Sequence, residues 1–275
     1  MGKVLPGAAA FAVTVMAGGT MGIAGHAKAE RSHSSLLCRR YQHILTVGPN
    51  NSHYIVRNDN YGRRDRECLH NFRGLPNFRV VRSSALGGQI QPVAYPDIFI
   101  GCSGRLCTPH SGFPRRVLQV RSLLTSWSTG SHAGGVWGAA IDLWFAPKRG
   151  LSGQEHGAEL MLWINSHGFG VNGWPVVAVD RIGWHLAQWR TTHHGDSWQY
   201  VQFRRVISTT GLRHLDLAPF IQTAKQRGFI SPHWWLTGVE AGFEIWRGGV
   251  GLRTTRFSVQ LDAGAGLDRH RGRRL

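Results

Sequence analysis

Acidic side chains are scarce in this chain. Fifteen Asp and Glu stand against 32 Lys and Arg, a formal net charge of +17 with histidine neutral. Such an excess can draw an anionic partner. The arginines are dispersed, however, apart from Arg269, Arg271, Arg273 and Arg274, and no aromatic-basic signature of an RNA or DNA module occurs. Nucleic acid is therefore not an expected partner, and the charge reads as solubility with loose attraction to anionic surfaces. Cysteine is also scarce, at four residues, and the absence of C-x-x-C argues against a zinc framework. The 15 histidines show no H-E-x-x-H or comparable spacing, so no metal is expected. No G-x-S-x-G elbow and no glycine loop for phosphate is present. After the first residues no long apolar run recurs, so the processed chain is not expected to insert stably in a membrane.

What is present begins with a leader. Lys3 supplies a positive start, Val4 to Ala24 is uncharged and mostly small or apolar, and Ala27-Lys28-Ala29 has the small-x-small form of a cleavage site. We expect a signal peptide over 1–29 and secretion to the extracellular space. Its loss removes Lys3 and Lys28 and leaves a net charge of +15. An exported chain with an even cysteine count points to disulfides. Of the three possible pairings we expect Cys38–Cys68 and Cys102–Cys107, which join neighbours and leave no thiol free.

The remaining chain reads as one domain over 30–262 and a Gly- and Arg-rich, disordered tail over 263–275. Short strand-like runs recur between Gly, Pro, Asn and Ser: Tyr54–Asn58, Phe78–Arg82, Asp97–Gly101, Arg116–Arg121, Val136–Phe145, Ala158–Asn165, Trp184–Arg190, Tyr200–Ser208, Leu236–Trp246 and Arg253–Leu261. Gly101–Gly112 and Gly168–Trp174 read as loops. This pattern predicts an all-β sandwich or barrel. One segment differs. Leu217, Phe220, Ile221 and Ala224 form a single apolar stripe, predicting a helix capped by Asp216, stopped near Gly228, and packed on the outside of a sheet.

Two glutamates lie inside apolar, aromatic strands, where a carboxylate is costly without a partner or a task. In the run 158–163, Glu159, Met161 and Trp163 share one strand face, and Leu160, Leu162 and Ile164 share the aliphatic face opposite. In the run 241–246, Gly242, Glu244 and Trp246 share a face, away from Phe243 and Ile245. Asp142 likewise sits with Trp144, opposite Ile141, Leu143 and Phe145. Sugar rings stack on indoles, and glycoside hydrolysis needs two carboxyl groups flanking the bond. The rival expectation is a lectin-like sandwich that holds a glycan without cutting it; the pair of glutamates favours the enzyme.

The blocks Ile141-Asp142-Leu143-Trp144-Phe145, Glu159-Leu160-Met161-Leu162-Trp163 and 238–252, from Gly238-Val239-Glu240-Ala241-Gly242-Phe243-Glu244 to Leu252, resemble glycoside hydrolase family 12. Asn58-Asp59-Asn60-Tyr61-Gly62, Tyr95-Pro96 and the cysteine placement extend the match upstream. The resemblance implies a jelly-roll sandwich of two antiparallel sheets with a concave groove and one packed helix. It implies a monomeric, cofactor-free, retaining endo-β-1,4-glucanase acting on β-1,4-glucan polysaccharide of the cellulose type, with a xyloglucan-specific or mixed-linkage glucanase as the alternative. Glu159 would be the nucleophile, Glu244 the acid/base, and Asp142 the acid hydrogen-bonded to the nucleophile. Asn58, Tyr61, Met161, Trp163 and Trp246 would bind substrate. Departures fall at Tyr61, where the family often has Trp, at Ser103-Gly104-Arg105-Leu106, and in Arg181–Gln199, where Leu186 replaces a common Trp; they bear on the outer subsites. The surrounding positive charge is expected to favour ionised carboxylates and to lower the acidic limb of the pH profile.

Overall fold

A computed structural model describes residues 34–62, 66–87, 91–130, 133–168, 178–180, 184–193 and 196–263. The expected leader, most of the expected Gly168–Trp174 loop, and all of the expected tail except Ala263 lie outside the described residues. The strands are β1 (Ser35–Leu37), β2 (His43–Val47), β3 (His53–Arg57), β4 (Glu67–Asn71), β5 (Phe78–Ser83), β6 (Asp97–Ser103), β7 (Leu106–Cys107), β8 (Arg115–Arg116) and β9 (Val120–Gly130). They continue with β10 (Gly135–Ala146), β11 (Ala158–His167), β12 (Ala178–Asp180), β13 (Trp184–His193), β14 (Asp196–Arg205), β15 (Gly211–Asp216), β16 (Trp235–Gly248) and β17 (Arg253–Ala263). The helix α1 (Ala218–Gln226) lies between β15 and β16.

The strands form two sheets. A back sheet runs β1-β4-β5-β17-β9-β15, and a groove sheet runs β12-β13-β14-β11-β10-β16-β6-β3-β2, with β7 on β6 and β8 on β16. This is the expected sandwich, with one departure: β11 and β14 pair in parallel. Arg116–Arg121 is also not one strand. It divides into β8, a 3-10 turn at Val117–Gln119, and the start of β9. The expected loop 101–112 contains the end of β6 and its partner β7, joined by Cys102–Cys107. Cys38–Cys68 is formed as well.

Alternation places the core between the sheets. Leu160, Leu162 and Ile164 of β11, with Ile141, Leu143 and Phe145 of β10, are buried there. Phe243 of β16 meets the back sheet edge-on at Phe78 (6.0 Å) and tilted at Trp127 (5.8 Å). Each such ring contributes roughly 1.5–3 kcal/mol by leaving water. The buried Trp127 indole also donates to Thr254 Oγ1 at 3.1 Å, so its polar atom is satisfied.

The helix differs from expectation in place. Phe220 packs edge-on against Trp184 (5.1 Å) and Phe203 (5.0 Å), both in the main core. It therefore covers the core side of β13 and β14 rather than the outside of a sheet. Asp216 lies two residues before Ala218; its Oδ1 accepts the Ala218 N–H at 3.0 Å and that of Leu123 at 3.1 Å, tying the helix start to β9. Gly228 ends the segment at φ +73, a conformation glycine adopts without a Cβ clash.

Candidate active site

The other face of the groove sheet carries the chemistry. A cavity of about 660 Å³ opens there, lined by Tyr61, Asp142, Glu159, Glu240, Glu244 and Trp246 among others. Its floor is a second apolar cluster of Tyr95, Ala140, Met161, Trp163, Tyr200 and Trp246. The register explains the gathering. Asp142 of β10 lies between Met161 of β11 and Glu240 of β16. Glu159 lies between Trp144 and Tyr200. Glu244 is opposite Gly138. Gly138 is needed there for space: a Cβ would meet the Trp163 indole at 2.8 Å, so the missing side chain lets that ring lie against the strand. Met161 Sδ accepts from Trp163 Nε1 and Tyr200 Oη, each at 2.9 Å, which fixes both rings.

Six of the expected site residues besides Glu159 are accounted for in this way. Glu244, Asp142, Tyr61, Met161, Trp163 and Trp246 all line the cavity. Asn58 does not. It is fully buried, and its Nδ2 donates to the carbonyls of Leu37, Arg39 and Glu67, holding the chain beside β1 and β4. Asp59 and Arg57 face the cavity instead. Leu186 likewise belongs to the core, opposite Phe203, and does not bear on the groove.

Other groups at the site were missed. Trp198 Nε1 donates to Glu159 Oε2 at 2.7 Å. Starting its strand at Tyr200 concealed it; the alternation of Trp198 with Tyr200 was the available signal. Glu240, in the 238–252 block, is a second such group; its spacing of four from Glu244 puts both on one strand face. Arg57 is the cation of this region. It forks onto Asp97, bonds Ser103 Oγ at 3.0 Å, and reaches Glu240 at 3.3 Å and Asp59 at 3.2 Å. Burial opposes its charge, but Asp59, Asp97 and Glu240 hold it ionised. Asp142 Oδ1 and Glu240 Oε1, on adjacent strands, are buried without a hydrogen-bond partner among the described residues.

These carboxyls move up, not down as the surface charge suggested. Burial, opposed by the Trp198 hydrogen bond and aided by Glu240, pushes Glu159 to about 8. Burial and then the Glu159 charge push Glu244 well above its usual range. Burial and Glu159 do the same to Asp142. Surface arginines sit in water and are screened, so burial wins.

A β-sandwich that gathers paired carboxyl groups among indole rings on one open face defines a glycoside hydrolase. Residues 54–262 match the family described as glycosyl hydrolase family 12, and the chain belongs to that family. It is 37% identical to endoglucanase Cel12A from Rhodothermus marinus, over 83% of this chain and 99% of that one, with a TM-score of 0.74. It is 35% identical to a metagenome-derived family 12 endoglucanase, over 84% and 99% of the two chains, with a TM-score of 0.75. It is also similar to the probable cellulase Cel12b of Mycobacterium tuberculosis strain H37Rv, at 27% identity over 156 residues, 55% of this chain and 99% of the relative.

Proposed function

We propose that the protein is a secreted, monomeric, retaining endo-β-1,4-glucanase that cuts internal bonds of cellulose-type glucans. The observation that carries this is the hydrogen bond from Trp198 to Glu159 within the cavity that Glu159 shares with Glu244. It favours the ionised form of Glu159 against a burial that holds the group up to about 8, and Glu159, once ionised, raises the proton affinity of Glu244. One carboxylate and one carboxylic acid is the pairing that double displacement requires. The glutamate oxygens would stand ~5–5.5 Å apart across the bond.

In the first step Glu159 forms a bond to the anomeric carbon while the glycosidic oxygen departs with the proton of Glu244. In the second, Glu244 takes a proton from water, the oxygen attacks the anomeric carbon, and the ester to Glu159 breaks. Asp142 acts on Glu159 through charge, each raising the cost of ionising the other, rather than through the hydrogen bond expected from the resemblance. Trp163, Trp246 and Tyr61 supply ring faces for sugars. The similarity to the Rhodothermus marinus endoglucanase Cel12A supports internal cleavage of a glucan.

The test is reducing-sugar release from carboxymethyl cellulose, mixed-linkage glucan and xyloglucan. The parent should cut the first two better than the third. Glu159→Gln and Glu244→Gln should each lose roughly 10²–10⁴-fold or more. A folded Glu159→Gln variant with near-parent rates would remove its role, and a preference for xyloglucan would overturn the substrate assignment.

A further inference from the structure

The back sheet turns a second face to solvent, with a composition opposite to the groove. Phe78, Val80, Trp127, Thr254 and Phe257 point inward and are buried. Their neighbours point out. Arg79 and Arg253 stand directly opposite each other on β5 and β17, and Arg79, Arg82, Arg213 and Arg256 are exposed. Arg253 lies over Gly130 of β9, where any side chain would collide with its guanidinium. Like charges directly opposite on a sheet are destabilising, and among the described residues no carboxylate is ion-paired with either arginine. Every ion pair among the described residues belongs to Arg57, on the other sheet. The exposed carboxylate on the described back-sheet strands is Asp262, near the far end of β17. Asp216 is occupied with backbone N–H groups.

Between the arginines the surface is flat and hydroxylated. Ser126, Ser128, Thr255, Ser258 and Gln260 face out from β9 and β17. No Trp, Tyr or Phe points outward from β5, β9, β15 or β17 to stack a base, which single-stranded nucleic acid would call for. The large exposed apolar side chains of the sheet are Leu36 and Val81, too few for lipid insertion.

We propose that this face docks an acidic polysaccharide, a polyuronate-type chain, by arginine–carboxylate bonds supplemented by hydroxyl and amide contacts to the sugars. Planar guanidinium groups match carboxylates in a two-bond fork. The groove offers that polymer no free guanidinium: its lining arginine, Arg57, is committed to Asp59, Asp97 and Glu240. One molecule thus sorts two chains: the acidic one to its back, the neutral one to its groove. Any gain in rate on a mixed matrix rests on the glucanase reading, whereas the binding does not.

Titration of the full chain with sodium polygalacturonate at 50 and 200 mM salt tests this. The parent should bind at low salt and weaken roughly tenfold or more at high salt, since each contact releases a counterion. Two paired variants, Arg79→Ser with Arg82→Ser and Arg253→Thr with Arg256→Ser, should each lose roughly tenfold in affinity, about 1.4 kcal/mol. Both should keep the rate on soluble neutral glucan, and neither should lower the thermal midpoint. Absent binding by the parent, or parent-like binding by both variants, would overturn the proposal. So would binding lost on removing 264–275 but kept in the sheet variants. Equal or tighter binding to anionic vesicles or single-stranded DNA would replace the polyuronate with another partner class. Unchanged glucanase rates in any of these cases keep the failure separate from that of the active site.

Discussion

The two sheets of this sandwich obey one packing rule and differ in what they turn outward. Both bury aliphatic and aromatic side chains on their facing surfaces. On the groove sheet the opposite face gathers Asp142, Glu159, Glu240 and Glu244 among indoles, the first three buried and Glu244 half-buried. On the back sheet the opposite face displays arginines among serines and threonines, each charge left in water. Strand alternation supplies both faces at no structural cost, since the core needs only every second residue. Burial makes the difference in consequence. Charges kept from water shift their proton affinities and couple to one another; charges in water change little except long-range attraction.

The largest effect on stability should come from breaking the groove at its cation. Arg57→Met leaves Asp97, Glu240 and Asp59 buried around an uncharged side chain and should cost about 3–5 kcal/mol. Chemical unfolding at neutral pH measures this. A loss within 0.5 kcal/mol, the size expected of an ordinary surface arginine, would erase the contrast between the faces.

A smaller effect concerns pH. Folded, Glu159 keeps its proton to about 8, whereas an ordinary glutamate releases it near 4.5. Between these values the folded protein binds more protons than the unfolded chain, so stability falls as pH rises through the window. The penalty is absent below the window and complete above it. Glu159→Gln removes it, so the variant should gain up to a few kcal/mol on the parent at pH 9 and little at pH 4. Unfolding midpoints that differ equally at both pH values would contradict the buried, proton-retaining glutamate.

The smallest effect belongs to the back sheet. Arg253→Thr relieves its repulsion with Arg79 and should stabilise by about 0.2–1 kcal/mol, with the gain shrinking as salt is added. A salt-independent change would mean that packing over Gly130, not charge, sets the cost.

Much of the groove was legible in the sequence because its key strands alternate cleanly. Glu159, Met161 and Trp163 occupy the face predicted for them, and Leu160 and Leu162 are fully buried on the other. The same rule identifies the error at Asn58. Tyr61 and Asn58 are three positions apart and so belong to opposite faces of an extended segment; Asp59 and Arg57 share the side of Tyr61 and do line the cavity. Taking Asn58 from a family resemblance overrode a local signal that was correct. Other features had no local signal. Arg57 and Glu240 are 183 residues apart, and only the sheet order brings them together. The parallel pairing of β11 with β14, and the placement of α1 beneath β13 and β14 rather than outside, depend on which core surface the back sheet leaves uncovered. Expecting lowered carboxylate proton affinities failed for a related reason: net charge is visible in a sequence, but depth of burial is not.

The most direct test is the configuration of the first product. Proton NMR of a soluble β-1,4-glucan, followed from mixing with the enzyme, distinguishes the anomers before they equilibrate. Double displacement through Glu159 predicts that the β-anomer of the new reducing end appears first and the α-anomer grows in later by mutarotation. The α-anomer appearing first would mean direct attack by water, and the assignment of Glu159 as nucleophile would be wrong.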